Sequence, residues 1–118
     1  MNGVEKKVAA YKGIVLLKRK EGMSREDLLD WLLTSHSRFS RSVPEVLRYT
    51  GSLVVAPGPR YAFPNGEPPF DLINEIWCRD RAALEQAYVQ LGAMGGPEST
   101  LSAVSQRIPL YCEEYVLK

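Results

Sequence analysis

The chain contains a single histidine, His36, near the end of a stretch with the pattern of a capped amphipathic helix. Histidine is the side chain best suited to move a proton near neutral pH. The apolar residues of the stretch recur at the spacing of one helical face, which also carries the histidine: Leu29, Leu32, Leu33, His36 and Phe39. We therefore expect His36 to face the core as a candidate general acid or base. A histidine buried for packing alone is the alternative.

Two opposing effects should act on this imidazole. The negative end of the helix dipole favours the charged ring, whereas apolar burial favours the neutral ring. Their opposition predicts a histidine poised near neutrality. A group of that kind contributes about 10²–10⁴ to a reaction rate as a general acid or base.

Polar side chains on the predicted strands could complete a site around this histidine. The candidates are Tyr49, one of the adjacent pair Asn74 and Glu75, and Tyr111 or Tyr115. Asn74 and Glu75 must face opposite sides of a sheet, so at most one of them lines the site. A buried tyrosine hydroxyl or asparagine amide can hold an enolate or phenolate oxygen. We predict His36 and Tyr49 as catalytic residues, although each tyrosine could instead fill the core or an interface. The predicted substrate-binding residues are Leu32, Phe39, Asn74 and Tyr111.

Length and composition limit the alternatives. With 118 residues and a formal net charge of +1, the chain predicts one domain, residues 1–118, and offers no electrostatic case for nucleic-acid binding. One histidine and two distant cysteines do not make a metal site, and no glycine-rich phosphate loop is present, so we expect neither metal nor cofactor. The apolar stretch 8–17 is too short to cross a bilayer, and no signal peptide is evident. A cytoplasmic protein with reduced thiols and no membrane association is therefore expected.

Strand-like and helix-like segments alternate along the chain. Strands are predicted at residues 11–20, 46–55, 71–79 and 108–117. Ser24 should cap a helix that runs to about Arg41, and Asp80 a second helix that Gly92 ends. A short helical turn is predicted at 98–106, and the loop 56–70, with five prolines, could be a lid or an arm that spans a dimer.

The order βαββαβ predicts an α+β, ferredoxin-like fold with a four-stranded antiparallel sheet. In that topology the third and fourth strands both flank the first. Cys78 and Cys112 would then lie about 9.5 Å apart, two strand spacings, which is too far for a disulfide. Pro109 suggests either that the last strand is an edge strand or that Pro109 lies at the start of that strand.

The predicted strands are apolar on both sides. Alternation places Val15 and Leu17 on one face of the sheet and Ile14 and Leu16 on the other. Two helices cover one face, so the other requires a partner, and two sheets packed face to face in a homodimer is the economical solution. The alternative is that the N-terminal arm and the proline-rich loop cover the second face.

Several segments resemble the EthD domain family of the dimeric α/β-barrel superfamily. The most specific is residues 17–26 (LKRKEGMSRE), followed by Trp31 and His36 in the helical region. The sequence Val43-Pro44, with Tyr49 after it, resembles the family's approach to the second strand. Residues 70–77 and 112–114 resemble its third and last strands. The resemblance implies a ferredoxin-like fold, a homodimer whose two sheets form a dimeric α/β barrel, and a pocket between helices and sheet.

The superfamily includes cofactor-free isomerases, dehydratases, polyketide cyclases and quinol-forming monooxygenases. The resemblance therefore implies a cofactor-independent lyase or isomerase in which His36 exchanges a proton with a small aromatic or polyketide-like carbonyl substrate. A cofactor-free phenol or anthrone monooxygenase is the second alternative. A non-catalytic, ligand-binding accessory protein is the third, because residues 98–105 (ESTLSAVS) replace an acidic stretch that family members often carry before the last strand.

Overall fold

The computed structural model describes residues 6–59 and 68–118, whose elements follow the predicted order. The strands are β1 (Ala10–Arg19), β2 (Arg48–Leu53), β3 (Leu72–Cys78) and β4 (Val104–Glu114). The helices are α1 (Arg25–Trp31), α2 (Ser37–Arg41), α3 (Arg81–Ala93) and α4 (Gly96–Ala103), and a π-helical turn, Leu32–His36, joins α1 to α2. None of these described helices combines the length and the apolar character needed to cross a bilayer. The middle of the predicted loop, residues 60–67, lies outside the described residues.

The four strands form one antiparallel sheet in the order β2-β3-β1-β4. This order confirms the ferredoxin-like α+β fold, with β1 between β3 and β4. Cys78 on β3 and Cys112 on β4 are separated by β1, and both are free thiols, as the topology predicts. Pro109 lies on β4, an edge strand, where a residue without an N–H group costs no hydrogen bond on the open side.

Several element boundaries differ from the predictions. β4 begins at Val104, four residues before the predicted start at 108, because the chain passes directly from α4 into the strand. Leu117 lies beyond the end of β4 and is exposed. Gly92 does not end α3, which continues through it to Ala93. The predicted cap of α3 is present: the Asp80 side chain accepts a hydrogen bond from the Ala83 N–H at 2.8 Å.

The helical region that carries His36 is not a continuous α-helix. It starts as predicted, with the Ser24 hydroxyl accepting a hydrogen bond from the Asp27 N–H at 3.0 Å. In the π-helical turn, the Ser37 N–H donates to the carbonyl of Leu32, five residues back rather than four. The helix therefore carries one extra residue in this turn.

The buried face of the helical region differs from the predicted one. Leu28, absent from the predicted apolar face, is fully buried, whereas Leu33, which was assigned to that face, is 62% exposed. The prediction was wrong at Leu33 because the buried face is centred on Leu28 and Leu32, one turn apart, and Leu33 lies about 100° around the helix from Leu32. Residues on either side of the π-helical turn meet neighbours that α-helical spacing would keep apart.

The two faces of the sheet have different surroundings. On the inner face, Val15, Leu17 and Leu72 are buried against residues of the helices. The outer face carries a row of apolar residues from three strands: Ile14, Leu16, Ile73, Ile108 and Leu110. Ile108 and Leu110 are 42% and 43% exposed. The described helices pack on the inner face, so residues 6–59 and 68–118 leave the outer face open.

Candidate functional site

A cavity of about 580 Å³ lies between the inner face of the sheet and the helices. This volume is within the range of pockets that hold small organic ligands. The sequence-predicted residues that line it are His36, Phe39, Tyr49, Asn74 and Tyr111. The fold thus brings together residues from the helical region and three different strands.

Leu32, predicted to bind substrate, is not part of this lining. It is 5% exposed and packs in the core, where a Cβ added to Gly51 of β2 would come within 2.6 Å of Leu32 Cδ2. It borders a separate, shallower hollow near β2. Its role is structural because the π-helical turn directs it over Gly51 rather than into the cavity.

His36 is held by aromatic packing and one hydrogen bond. Its ring stacks on Trp31 at a centroid distance of 4.3 Å and meets the edge of Phe39 at 5.7 Å. Nδ1 lies 2.9 Å from the hydroxyl of Ser99 on α4. Trp31 and His36 are five residues apart, a spacing that the π-helical turn brings to one side of the helix. With Nδ1 engaged by Ser99, Nε2 is the ring nitrogen left for a ligand.

The imidazole is neutral at pH 7. Burial, and secondarily the positive charge of Arg107, lowers the pKa of His36 to about 4. The prediction of a histidine near neutrality was wrong because the helix continues to Arg41, more than a turn beyond His36. The helix dipole acts within the last turn, so it does not offset the burial.

The structure separates Asn74 from Glu75. Asn74 lies on the inner face, is 3% exposed and lines the cavity. Its Oδ1 atom is buried and accepts no hydrogen bond from the described residues. Glu75 lies on the outer face, where its carboxylate forms an ion pair with Lys12 at 2.9 Å. Lys12 also forms an ion pair with Glu114, at 3.2 Å. An unpaired buried carbonyl oxygen is costly, so Asn74 is a candidate acceptor for a ligand's hydroxyl or amine.

The predicted tyrosines differ in their surroundings. Burial raises the pKa of Tyr49 to about 12, and a side-chain hydrogen bond with Ser40 acts in the opposite direction. Tyr111 lies at the cavity rim, 53% exposed. Tyr115 is outside the cavity, exposed and hydrogen-bonded to Glu113. Tyr49 therefore remains protonated in the cavity and can donate a hydrogen bond to a ligand.

Tyr88 of α3 is a cavity residue that the sequence analysis did not single out. Its hydroxyl is buried without a hydrogen-bond partner among the described residues, and burial raises its pKa to about 12. The hydroxyl lies over Gly13 of β1, where an added Cβ would overlap it. A glycine in the middle of a strand often marks such a close approach, and this was the available signal.

Arg107 of β4 was also missed, because the predicted strand began one residue after it. It lies opposite Leu17 in the β1–β4 register, and therefore on the inner face. It lines the cavity, with its guanidinium 5.9 Å from the centre of the Tyr88 ring. Among the described residues it forms no ion pair. The cavity thus combines a neutral imidazole, three tyrosines, the side-chain amides of Asn74 and Gln106, and one cation within an apolar wall.

The chemistry of this set is that of proton transfer and hydrogen bonding. In the described part of the chain, no three histidine, cysteine or acidic side chains are grouped as metal ligands would be. The neutral imidazole can accept a proton, and the tyrosine hydroxyls and the guanidinium can stabilise an oxyanion.

Comparison with solved structures supports the same fold. An ethyl tert-butyl ether D (EthD) family protein of Bacillus halodurans is 19% identical with a TM-score of 0.69, over 89% of this chain and 98% of that chain. An EthD-like protein of Ralstonia eutropha is 12% identical with a TM-score of 0.68, over 92% and 96%. A dimeric ferredoxin-like protein of unknown function from Thermobifida fusca is 9% identical with a TM-score of 0.65, over 96% and 100%.

Comparison with curated proteins found no significant match. The EthD domain family matches residues 20–91, more than half of the chain. This range includes the helical region of His36, strands β2 and β3, and most of α3. It confirms the resemblance that residues 17–26, Trp31 and His36 indicate. The chain belongs to the EthD domain family.

Proposed function

We propose that the inner cavity binds a small, largely apolar carbonyl or phenolic compound, of aromatic or polyketide-like type, and that His36 exchanges a proton with it. The observation that carries this proposal is that Asn74 and Tyr88 line the same apolar cavity as a neutral histidine, while Asn74 Oδ1 and Tyr88 Oη are buried without a hydrogen-bond partner among the described residues. Polar atoms left unpaired in a core are costly unless a ligand completes them.

The proposed reaction is an enolisation without cofactor. The neutral ring of His36 takes a proton from the carbon beside the ligand's carbonyl. The electron pair of that C–H bond forms a C=C bond with the carbonyl carbon, and the π pair of the C=O bond moves onto the oxygen. Tyr49 or Tyr88 donates a hydrogen bond to the resulting oxyanion. The histidinium then returns the proton to another carbon, which is an isomerisation, or to a departing hydroxyl, which is a dehydration.

The low pKa of His36 favours a second candidate function. A base whose conjugate acid has a pKa of about 4 accepts protons weakly at pH 7. A protein that only carries its ligand, as an accessory to a larger enzyme, needs the cavity and its polar atoms but no proton transfer. Ligand binding without exchange of the ligand's protons would favour this candidate.

Binding of the proposed ligand class can be measured with p-hydroxyacetophenone, a neutral phenolic ketone. We expect it to shift the ring-proton NMR signals of His36, which need no assignment because the chain has one histidine. Tyr88→Phe removes one free hydroxyl and should weaken binding by about threefold to tenfold. Tyr115→Phe is the matched control, since it removes an exposed hydroxyl outside the cavity. A His36 signal that the probe does not move would contradict the proposal.

We also propose that two chains pair through their outer sheet faces. The described part of one chain leaves the apolar row that includes Ile108 and Leu110 open, and the similar Thermobifida fusca protein is dimeric. Light scattering should therefore give twice the 13.2 kDa of one chain. Ile108→Glu should shift the protein toward monomer because it buries an unpaired charge. Val89→Glu, at a 64% exposed helix position, should not. A wild-type monomer, or equal effects of both variants, would contradict this interface.

A further inference from the structure

We propose that the ligand of this cavity carries a carboxylate on its apolar body and that Arg107 binds this carboxylate. The inference rests on the proposed function, because it concerns the same cavity, and it narrows the substrate class to phenolic or enolic acids. It makes Arg107 a specificity-determining residue.

The charge distribution of the cavity supports an anionic ligand. Arg107 is the one formally charged residue among the described lining residues, and none of the described acidic side chains lies within ion-pair distance of it. The other charged pairs of the molecule include Lys12 with Glu75 on the opposite face of the sheet. A cation beside an apolar cavity and without a counter-ion is suited to bind an anion from solution.

The geometry favours a carboxylate over other anions. A guanidinium presents two parallel N–H donors that match the two oxygens of a carboxylate. Arg107 is an exposed residue whose guanidinium carbon lies 5.9 Å from the centre of the Tyr88 ring, at the cavity wall. One guanidinium, with no second cation among the described lining residues, matches the single charge of a carboxylate better than the double charge of a phosphate.

Asn74 supplies the second polar contact that the ligand class requires. Its Oδ1 is buried without a hydrogen-bond partner among the described residues, and a phenolic or enolic hydroxyl is the donor that would satisfy it once the amide turns toward the ligand. Asn74 lies opposite Val15 and Arg107 lies opposite Leu17, on the two strands that flank β1. Strand spacings place their Cα atoms about 12 Å apart. The long arginine side chain covers part of this distance, and a ligand about the size of one substituted ring covers the rest.

Such a ligand would also act on His36. The positive charge of Arg107 contributes to the lowered pKa of that histidine. A carboxylate bound to the guanidinium would offset this charge, so the bound acid should raise the pKa of His36, whereas a neutral analogue should not. The acid would thereby make the imidazole a better base in the complex than in the free protein.

The test compares p-hydroxybenzoate with p-hydroxybenzamide, which differ in charge at nearly constant shape. We expect the wild-type protein to bind the acid at least about tenfold more tightly than the amide, as measured by titration calorimetry. Arg107→Gln should remove this preference, and Arg107→Lys should restore part of it. Arg81→Gln is the matched control, because Arg81 contacts Tyr111 at the rim but pairs with Glu85 at 3.1 Å.

The NMR signal of His36 gives an independent readout. Its pKa should rise in the complex with the acid and stay unchanged with the amide. Equal affinity of the wild-type protein for both probes would overturn the role of Arg107 and leave the proposed function intact. A preference for the acid that persists in Arg107→Gln would also overturn the role of Arg107. If the wild-type protein bound none of the three compounds (the acid, the amide and p-hydroxyacetophenone), the proposed function itself would be contradicted.

Discussion

Replacing His36 by alanine should slow the exchange of ligand protons by about 10²–10⁴ while the ligand remains bound. The measurement follows the methyl protons of p-hydroxyacetophenone in D₂O by NMR, because an enolising site exchanges them for deuterium. The effect is expected to be large because His36 is the one imidazole in the chain, and no carboxylate lines the described part of the cavity as a substitute base.

The control for this prediction is Ser99→Ala. Ser99 contacts Nδ1 of His36 at 2.9 Å and positions the ring without touching the ligand, so its loss should slow exchange less than the loss of the ring. His36→Gln keeps a polar side chain at the position and tests whether lost packing explains the result. Equal exchange by the wild-type protein and His36→Ala would contradict a catalytic histidine. Binding without exchange by the wild-type protein would leave the accessory function as the better proposal.

Lowering the pH from 7 to about 4 should reduce the free energy of unfolding through His36 by at most roughly 3 kcal/mol, because solvent screens the partly exposed ring and reduces the effect. The folded protein holds the pKa of this histidine at about 4, whereas an unfolded chain titrates it near 6.5. Between these values the unfolded state binds a proton that the folded state does not. The stability contributed by the neutral buried ring is therefore complete above pH 6.5 and declines as the pH falls through this window.

Urea denaturation at pH 7, 5.5 and 4.5, at a fixed protein concentration, measures this effect. His36→Gln is the matched variant, because glutamine does not titrate, and its unfolding free energy should change less over the same range. The carboxyl groups of Asp80 and Glu114 have pKa values below their ordinary ones, so their contributions are lost at lower pH. Identical pH dependence in the two proteins would show that His36 is not buried as a neutral ring.

Much of the architecture follows from local patterns. Alternation along the strands separates Val15 from Ile14 and Asn74 from Glu75, because neighbouring strand residues face opposite sides of the sheet. The caps at Ser24 and Asp80 mark helix starts because their side chains satisfy free backbone N–H groups. The predicted order of elements then permits few topologies, and the ferredoxin-like one is observed.

The π-helical turn shows where local patterns fail. No residue type in Leu32–His36 announces the extra residue in this turn, and the helical periodicity also assigned the exposed Leu33 to the core. In the folded chain Leu28 is fully buried and the ring of Trp31 stacks on that of His36. Which leucines face the core depends on how the helix docks on the sheet, so a single-helix pattern does not contain this information.

By itself, the sequence determined the fold, the inward position of His36, and the family, because strand alternation, helix caps and the motif at residues 17–26 are local properties of the chain. The tertiary structure decided the composition of the cavity. Tyr88, Arg107 and Ser99 come from three elements remote from His36 in sequence, and Gly13 leaves the space that the Tyr88 hydroxyl occupies. It also decided the pKa of His36, since burial and a charge from β4 depend on distances that exist in the folded chain and not along it.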